Sequence, residues 1–269
     1  MEPVFCRAWP LPYALRPQVD AELDGMLRAN VIEPVDTSDW ATPLVIVHNP
    51  DASYITPCRA EDEACMTSSA QAVLPHIVAG IPEWGMPQAD PFVIKDIRSE
   101  VNNLKLHFTD NNIAGPGKAK ILKVTHDTSK QTIKVVIETP IFITGHYDLQ
   151  GQLLFFNAVG NGTYTLKTDN IVFKVDLIYK VIEKDGHKYL KITGFEYSYD
   201  LVKKVHMKLD NLFGGNEEAA KPILQLLDEN WKDVIFELGG PIIKQLLTEY
   251  VNIVKKYMLF IPADKLVVY

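Results

Sequence analysis

The residue types that most readily do chemistry are sparse in this chain. Cysteine occurs at Cys6, Cys58 and Cys65. The last two close a short C-x6-C loop. In an oxidising compartment such a pair reads as a disulfide, worth roughly 2–2.5 kcal/mol for so short a loop in the chain-entropy account. In a reducing one it reads as two free thiols or as half of a metal site. A zinc site needs two further ligands close by. His76 is the one nearby candidate, so no metal is assigned. Seven histidines are present. His107, His126, His146 and His206 are scattered among alternating segments and read as residues of wet strand faces. No Gly-x-Ser-x-Gly elbow accompanies them, and no catalytic residue is assigned. Gly115-Pro116-Gly117 and Gly160-Asn161-Gly162 carry the glycines of tight hairpin turns. Neither extends into a phosphate-binding fingerprint ahead of a helix, and no cofactor is expected. Asn161-Gly162-Thr163 is the one N-x-[ST] sequon. At what reads as a turn, Asn161 is a candidate glycan acceptor if the chain is secreted.

The elements that must position these residues start from an ordinary globular composition, 47% hydrophobic and 23% charged over 269 residues. That is enough for one large domain or two small ones. A net charge of −7 lacks the basic footprint of a nucleic-acid binder or of a protein held on anionic lipid. No run of about 18 apolar residues is present, so no membrane span is expected. The start, "MEPVFCRAWPLPYALRPQVDAELDG", has no basic opening followed by an unbroken apolar core, and does not read as a signal peptide. Nucleic acid and stable membrane insertion are therefore not expected, and the chain reads as a monomer.

The composition changes sharply near Asp51. The first 50 residues hold three Arg and no Lys, whereas the rest hold two Arg and 22 Lys. Seven of the 17 prolines and two of the four tryptophans also lie in the first 50 residues. Two sources of sequence are implied, with a join close to Pro50–Asp51. Within the first part, "RPQVDAELDGMLRANVIEP" sets Val19, Leu23, Met26, Leu27 and Val31 at helical spacing, and "PLVIV" reads as a short strand. One helix and one strand cannot bury a core, so residues 1–51 are expected to be poorly ordered.

Beyond the join, "MTSSAQAVLPHIVAGIP" reads as a short helix capped by Thr67 or Ser68 and ended by Gly80 and Pro82. "NLKLHFTDNNIAG", "KAKILKVTHD", "QTIKVVIETP", "QLLFFNAVGNG", "NIVFKVDLIYKVIE" and "HKYLKITGFEYSYD" read as strands. In the fifth of these, Ile171, Phe173, Val175, Leu177, Tyr179 and Val181 share a face. Lys174, Asp176 and Lys180 share the other, as in a half-wet antiparallel sheet. "KDGH" at 184–187 is an Asp-Gly hairpin signal. From Glu217 to Met258 an apolar stripe at 3–4 spacing predicts a helix bent at Gly239, Gly240 and Pro241. A helix of that length would span roughly 60 Å, so the sheet must wrap along it. If the curling walls do not close fully, they leave an apolar tunnel. Phe108, Phe155, Phe173, Leu177 and Tyr179 from the walls, with Trp231, Ile235 and Tyr250 from the helix, are the candidate lining residues. Their tyrosine hydroxyls could anchor a ligand's polar end.

Two family resemblances follow from these residues. "PVFCRAWPLPYALRPQVDAELDGMLRANVIEPVDTSDWATPLVIVHNPD" resembles the start of a retrotransposon reverse transcriptase. The chain has no Tyr-x-Asp-Asp and no later pair of strand-borne carboxylates to hold two magnesium ions, so residues 1–51 are expected to be an inert leader. "YITPCRAEDEACMTSSAQAVLPHIVAGIPEWGMPQADPFVI" resembles the opening signature of the takeout and juvenile-hormone-binding protein family of insects, through Cys58, Cys65, Gly80, Pro82, Asp90, Pro91 and Ile94. "NLFGGNEEAAKPILQLLDENWKDVIFELGGPIIKQLL" resembles the second signature, through Asn211, Leu212, Phe213, Asn216, Asn230 and Trp231. The similarity covers about residues 53–269, and the domain it implies is 52–269. It implies an α+β fold, a long C-terminal helix wrapped by a highly curved antiparallel sheet. It further implies a Cys58–Cys65 disulfide, an extracellular location and a small hydrophobic ligand in an internal tunnel, with no enzymatic activity. A lipid-ester hydrolase and a non-functional chimeric product are the alternatives. The absence of cysteines after residue 65 favours the takeout branch.

Overall fold

The computed structural model describes residues 16–28, 54–153, 156–184 and 186–268, and the chain divides into two units, residues 1–50 and 51–269. In the first unit the expected helix is present as α1, Arg16–Arg28. Val31, the expected strand at 43–47 and the expected disorder of the leader lie outside the described residues.

The second unit begins with the two-residue strand β1, Cys58–Arg59, and helix α2, Glu63–Ala79. Six strands follow: β2, Phe92–Val101; β3, Leu104–Ala114; β4, Lys120–Asp127; β5, Thr132–Leu153; β6, Phe156–Lys184; and β7, His187–Leu201. Then come β8, His206–Leu209, and the helices α3, Glu217–Glu229, α4, Trp231–Leu238, and α5, Gly240–Phe260. The last strand, β9, Val267–Val268, pairs in parallel with β1 and ties the two ends of the unit together. The main sheet is antiparallel throughout, in the order β2-β3-β5-β6-β7, with β4 beside β5 and β8 beside β6. The fold is α+β, with C-terminal helices packed in a curled antiparallel sheet.

Length forces the curl. A straight β6 of 29 residues would run roughly 95 Å, whereas a compact unit of this size has a radius of gyration of about 17 Å. The strands bend at bulges between Thr109 and Asn112, between Thr139 and Ile141, and between Ile178 and Tyr179. Bulges raise the local twist and turn a strand. Pro140 occupies the middle one, where the missing N–H breaks no ladder bond. On one edge β4 pairs with residues 132–138 of β5 and β3 with residues 142–150. On the other, β7 pairs with residues 171–184 of β6 and β8 with residues 164–167. Both edges change partner near the Thr139–Ile141 bulge, so the whole sheet turns a corner there.

Several sequence expectations are corrected at this level. β2 has no counterpart among the expected strands. "QLLFFNAVGNG" is not one strand, since β5 ends at Leu153 and β6 begins at Phe156. Gly160-Asn161-Gly162 is not a hairpin but lies within β6, opposite Leu149, Asp148 and Tyr147. Its glycines admit another segment: a Cβ on Gly162 would stand 2.4 Å from the Asp210 carbonyl oxygen, and one on Gly160 2.8 Å from the Tyr147 hydroxyl. Gly115-Pro116-Gly117 is a tight turn, yet it joins β3 to β4, which do not pair. The Asp90 carboxylate closes it by accepting from the Gly115 and Gly117 amides at 3.1 and 2.7 Å. Val181 is 42% exposed near the hairpin end of β6 and β7, although it stands opposite the buried Leu190. Asp185 of the "KDGH" signal lies outside the described residues.

Helix α2 starts earlier than Thr67 or Ser68. Asp62 caps it by accepting from the Cys65 amide at 2.9 Å. Thr67 instead accepts from the Val124 amide at 3.0 Å, and Gln71 accepts from Ile121 at 2.7 Å, stitching α2 to β4. The C-terminal stripe bends at Gly239 as expected, and breaks a second time at Asn230. Asn216 caps α3 by accepting from Ala219, and the Asn230 amide group donates to the Leu226 carbonyl at 2.9 Å. An asparagine that bonds the end of its own helix competes with continuation.

Cys58 and Cys65 are disulfide-bonded, with Cα atoms 5.7 Å apart. The bond joins β1 to the first turn of α2. Replacing both cysteines by serine is expected to lower stability by about 2–2.5 kcal/mol and the melting temperature by roughly 4–10 °C. A thermal melt unchanged by the double replacement would contradict this.

Candidate functional site

Two apolar cavities lie within the second unit, between the curled sheet and the helices. The first has a volume of about 210 Å3. Leu104, Leu106 and Phe108 of β3 and Ile143 and Leu149 of β5 form its outer wall, with Tyr164 and Leu166 of β6. Leu227, Val234, Ile235, Ile242 and Leu246 close it from α3, α4 and α5. The second has a volume of about 350 Å3. Val124 and His126 of β4, Val135 and Ile137 of β5, and Val175 and Leu177 of β6 line it, facing Val251 and Val254 of α5. Val73 and Ile77 of α2 roof it. Ile141, Phe173, Leu247 and Tyr250 line both chambers. Ile141 and Phe173 come from the corner of the sheet, where β5 and β6 turn. Two chambers therefore meet where the roll bends.

The polar groups around these chambers are mostly engaged by protein. Tyr147 donates to the Asp210 carbonyl at 2.8 Å and Tyr164 to Asn111 Oδ1 at 2.6 Å. Tyr250 donates to the Ala89 carbonyl at 3.3 Å. Burial pushes all three phenols above their ordinary pKa, so they stay neutral donors. In the second chamber the Thr139 hydroxyl donates to the Pro140 carbonyl, and Ser69 accepts from the Thr56 amide. His126 sits with Nε2 2.7 Å from the Tyr179 hydroxyl. Burial lowers its pKa below the ordinary 6.5, with the Asp127 charge opposing weakly.

That depression makes a pH prediction. The unfolded chain takes up the His126 proton at higher pH than the folded one, so stability is complete above the unfolded pKa and falls as pH drops through and below it. Denaturant unfolding from pH 8 to pH 5 is expected to show this loss, and His126→Phe to flatten it. Equal slopes for both proteins would contradict the assignment.

The expected lining residues divide as follows. Phe108 and Ile235 line the first chamber, Leu177 the second, and Phe173 and Tyr250 both. Tyr179 is buried but lines neither; its phenol backs His126. Trp231 lines neither and packs against the Ile171, Leu201 and Val205 cluster. The break at Asn230 takes it off the face that a continuous helix would share with Leu227. Phe155 lies outside the described residues. Asn161 is exposed in mid-strand rather than at a turn, its side-chain oxygen accepting from Asn211 at 3.1 Å. His107 bonds Asp96 at the surface. His126, read from sequence as wet, is the polar residue that sequence reasoning missed. Its spacing of two from Val124 is the signal, but a bulge between Ile121 and Lys123 shifts the phase of β4 and hides it.

Among the described residues no helix is long and apolar enough to cross a membrane, and no group of three His, Cys, Asp or Glu is placed to hold a metal ion. A family model described as haemolymph juvenile hormone binding protein matches residues 41–268. It reaches upstream of the join expected at Asp51. The circadian clock-controlled protein daywake of Drosophila melanogaster is 26% identical over 239 residues, which is 84% of this chain and 92% of that protein. A juvenile hormone-binding protein of Manduca sexta is 29% identical over 80 residues, covering 29% of this chain and 35% of that one. The crystal structure of Takeout 1 from Epiphyas postvittana superposes with a TM-score of 0.76 at 27% identity, covering 80% of this chain and all of the other.

Proposed function

Because the chain belongs to the haemolymph juvenile hormone binding protein family, we propose that it carries a small hydrophobic molecule in the paired chambers, outside the cell and without covalent chemistry. The observation that carries this reading is the lining. Two adjoining cavities, about 210 and 350 Å3, are walled almost wholly by aliphatic and aromatic side chains and share four residues. Unfilled apolar space of this size costs packing energy, and a ligand recovers it. Burial of about 300 Å2 of ligand surface would gain roughly 7.5 kcal/mol before the cost of association. A terpenoid or fatty chain fits that description, and the family's name supports the first.

The described polar groups support a carrier over a hydrolase. A serine hydrolase needs a nucleophile beside a base held by a third group. Ser69, the serine in the chamber wall, bonds the Thr56 amide, and His126 bonds a tyrosine. The resemblance of residues 2–51 to a reverse-transcriptase start supports reading them as a leader of separate origin. The family match reaching back to residue 41 argues that this leader is shorter than the resemblance suggests.

The test is native mass spectrometry of the full chain under oxidising conditions, followed by organic extraction. A discrete added mass that leaves with solvent is expected. A bare polypeptide that also refuses fatty acids, terpenoids and quinones would overturn the carrier reading.

A further inference from the structure

We propose that His126 marks the polar end of the site, holding a single neutral oxygen (an alcohol, ketone, aldehyde or ester) at one end of an otherwise apolar ligand whose tail points toward the first chamber. This rests on the carrier reading and names the ligand class and its orientation.

The two chambers differ in what they offer a polar group. In the first, the Tyr147 and Tyr164 phenols donate to Asp210 and Asn111, and Thr168 donates to backbone carbonyls. A ligand oxygen seeking one of these protons would displace a bond already made, which leaves Thr165 as the remaining hydroxyl residue of that lining. In the second, His126 lines the cavity from β4 and uses Nε2 on the Tyr179 hydroxyl. Its Nδ1 has no hydrogen-bond partner among the described residues. A neutral imidazole carries one donor and one acceptor nitrogen. If Nε2 donates to the phenol, Nδ1 accepts; if the phenol donates, Nδ1 carries the proton. Either way the ring of this lining residue keeps one unused hydrogen-bonding function.

Charge selects the kind of oxygen. Burial keeps the ring neutral near pH 7. A carboxylate brought here would lose its hydration without a cation to meet it, a larger penalty than a hydroxyl or carbonyl suffers. A neutral oxygen needs a single hydrogen bond: a hydroxyl can make it with Nδ1 in either tautomer, a carbonyl oxygen when Nδ1 carries the proton. The apolar wall then continues from His126 through Ile141, Phe173 and Tyr250 into the first chamber. A tail would follow that wall.

The experiment compares dodecane with 1-dodecanol as competitors of the fluorescent apolar probe N-phenyl-1-naphthylamine on the full chain. A cavity with no anchor prefers the alkane, because the hydroxyl gives up water and regains nothing. The expected result is that the alcohol binds at least as tightly as the alkane. His126→Leu should weaken the alcohol about tenfold and leave the alkane within about twofold. His107→Leu, at the surface, should leave both unchanged, and Ser69→Ala tests the rival anchor in the same wall. An alkane preferred about tenfold or more by the unaltered protein overturns the anchor, even if the variant fails to fold. So does loss of the alcohol's affinity in Ser69→Ala but not in His126→Leu. In those cases the probe still binds and the carrier reading stands. Failure of the probe and of both competitors to bind brings down the carrier reading, and the anchor with it.

Discussion

Leu247→Trp is expected to divide long ligands from short ones. Leu247 lies on α5, is buried, and lines both chambers with Ile141, Phe173 and Tyr250. An indole at this position would fill space between the chambers rather than at either end. A sixteen-carbon alcohol anchored in the second chamber would lose the part of its tail that enters the first. If about 150 Å2 of apolar contact is lost, binding weakens by roughly 4 kcal/mol, well over a hundredfold. An eight-carbon alcohol fits one chamber and should lose less than about threefold. Overpacking usually costs 1–3 kcal/mol because a filled core must strain to admit extra atoms. Here the added atoms enter open space, so the melting temperature should hold within a few degrees. Equal losses for both alcohols would show that the chambers are not traversed by one ligand. Unchanged affinity for the longer one would show that the ligand lies elsewhere.

On the carrier reading, the corner of the sheet matters because residues from it line both chambers. A sheet whose strands turned smoothly would present an even wall. This one turns at Pro140 and at the switch of partners on both edges of the β5–β6 pair. Ile141 and Phe173 come from that turn and stand at the boundary of both chambers. Phe173 thus borders both chambers, and on the carrier reading a change in its size should be felt by a ligand in either.

Much of this was legible in the alternation of β6. Ile171, Phe173, Val175, Leu177 and Tyr179 do share the inner face, because nothing interrupts the pleat of β6 beyond the corner; the extra residue of the bulge opposite Ile178 and Tyr179 is Thr193 of β7. Length was informative too: strands and helices too long for a domain of this size must curl or break. What stayed hidden has a common cause. Bulges insert one residue and reverse the phase of a strand, and no local pattern announces them. The bulge in β4 concealed His126. Gly160 and Gly162 looked like a hairpin because glycine permits a turn. The structure uses their missing side chains to admit Asp210 and Leu212, a contact about 50 residues distant that no short window contains. Trp231 fails as a lining residue for a similar reason. Apolar spacing runs unbroken through Asn230, whereas the backbone does not. Signature residues proved more legible as physics than as labels: Asp90 closes a turn, and Asn216 and Asn230 cap helix ends.

Asn111→Ala is expected to destabilise the fold more than loss of the Cys58–Cys65 disulfide does. Asn111 is 0% exposed and sits in the bulge of β3. Its amide nitrogen donates to the Ile94 carbonyl at 2.8 Å and to the Phe108 carbonyl at 3.3 Å. Its oxygen accepts from the Tyr164 phenol at 2.6 Å. One side chain thus holds β2, the bulge of β3 and the wall of the first chamber. Alanine would leave a buried phenol and a buried carbonyl unpaired, each at about 1–3 kcal/mol, and open a small void. A total loss of about 3 kcal/mol follows, read by denaturant unfolding at constant m-value. Tyr164→Phe removes one bond and leaves the asparagine's donors in place, so it should cost roughly half as much. In the double variant the two losses should not add, because Tyr164 and Asn111 share a bond. Strict additivity would mean that the phenol finds another partner. A loss below about 1 kcal/mol for Asn111→Ala would mean that the bulge persists without it, and that the shape of the first chamber is set by strand length and Pro140 rather than by this buried amide.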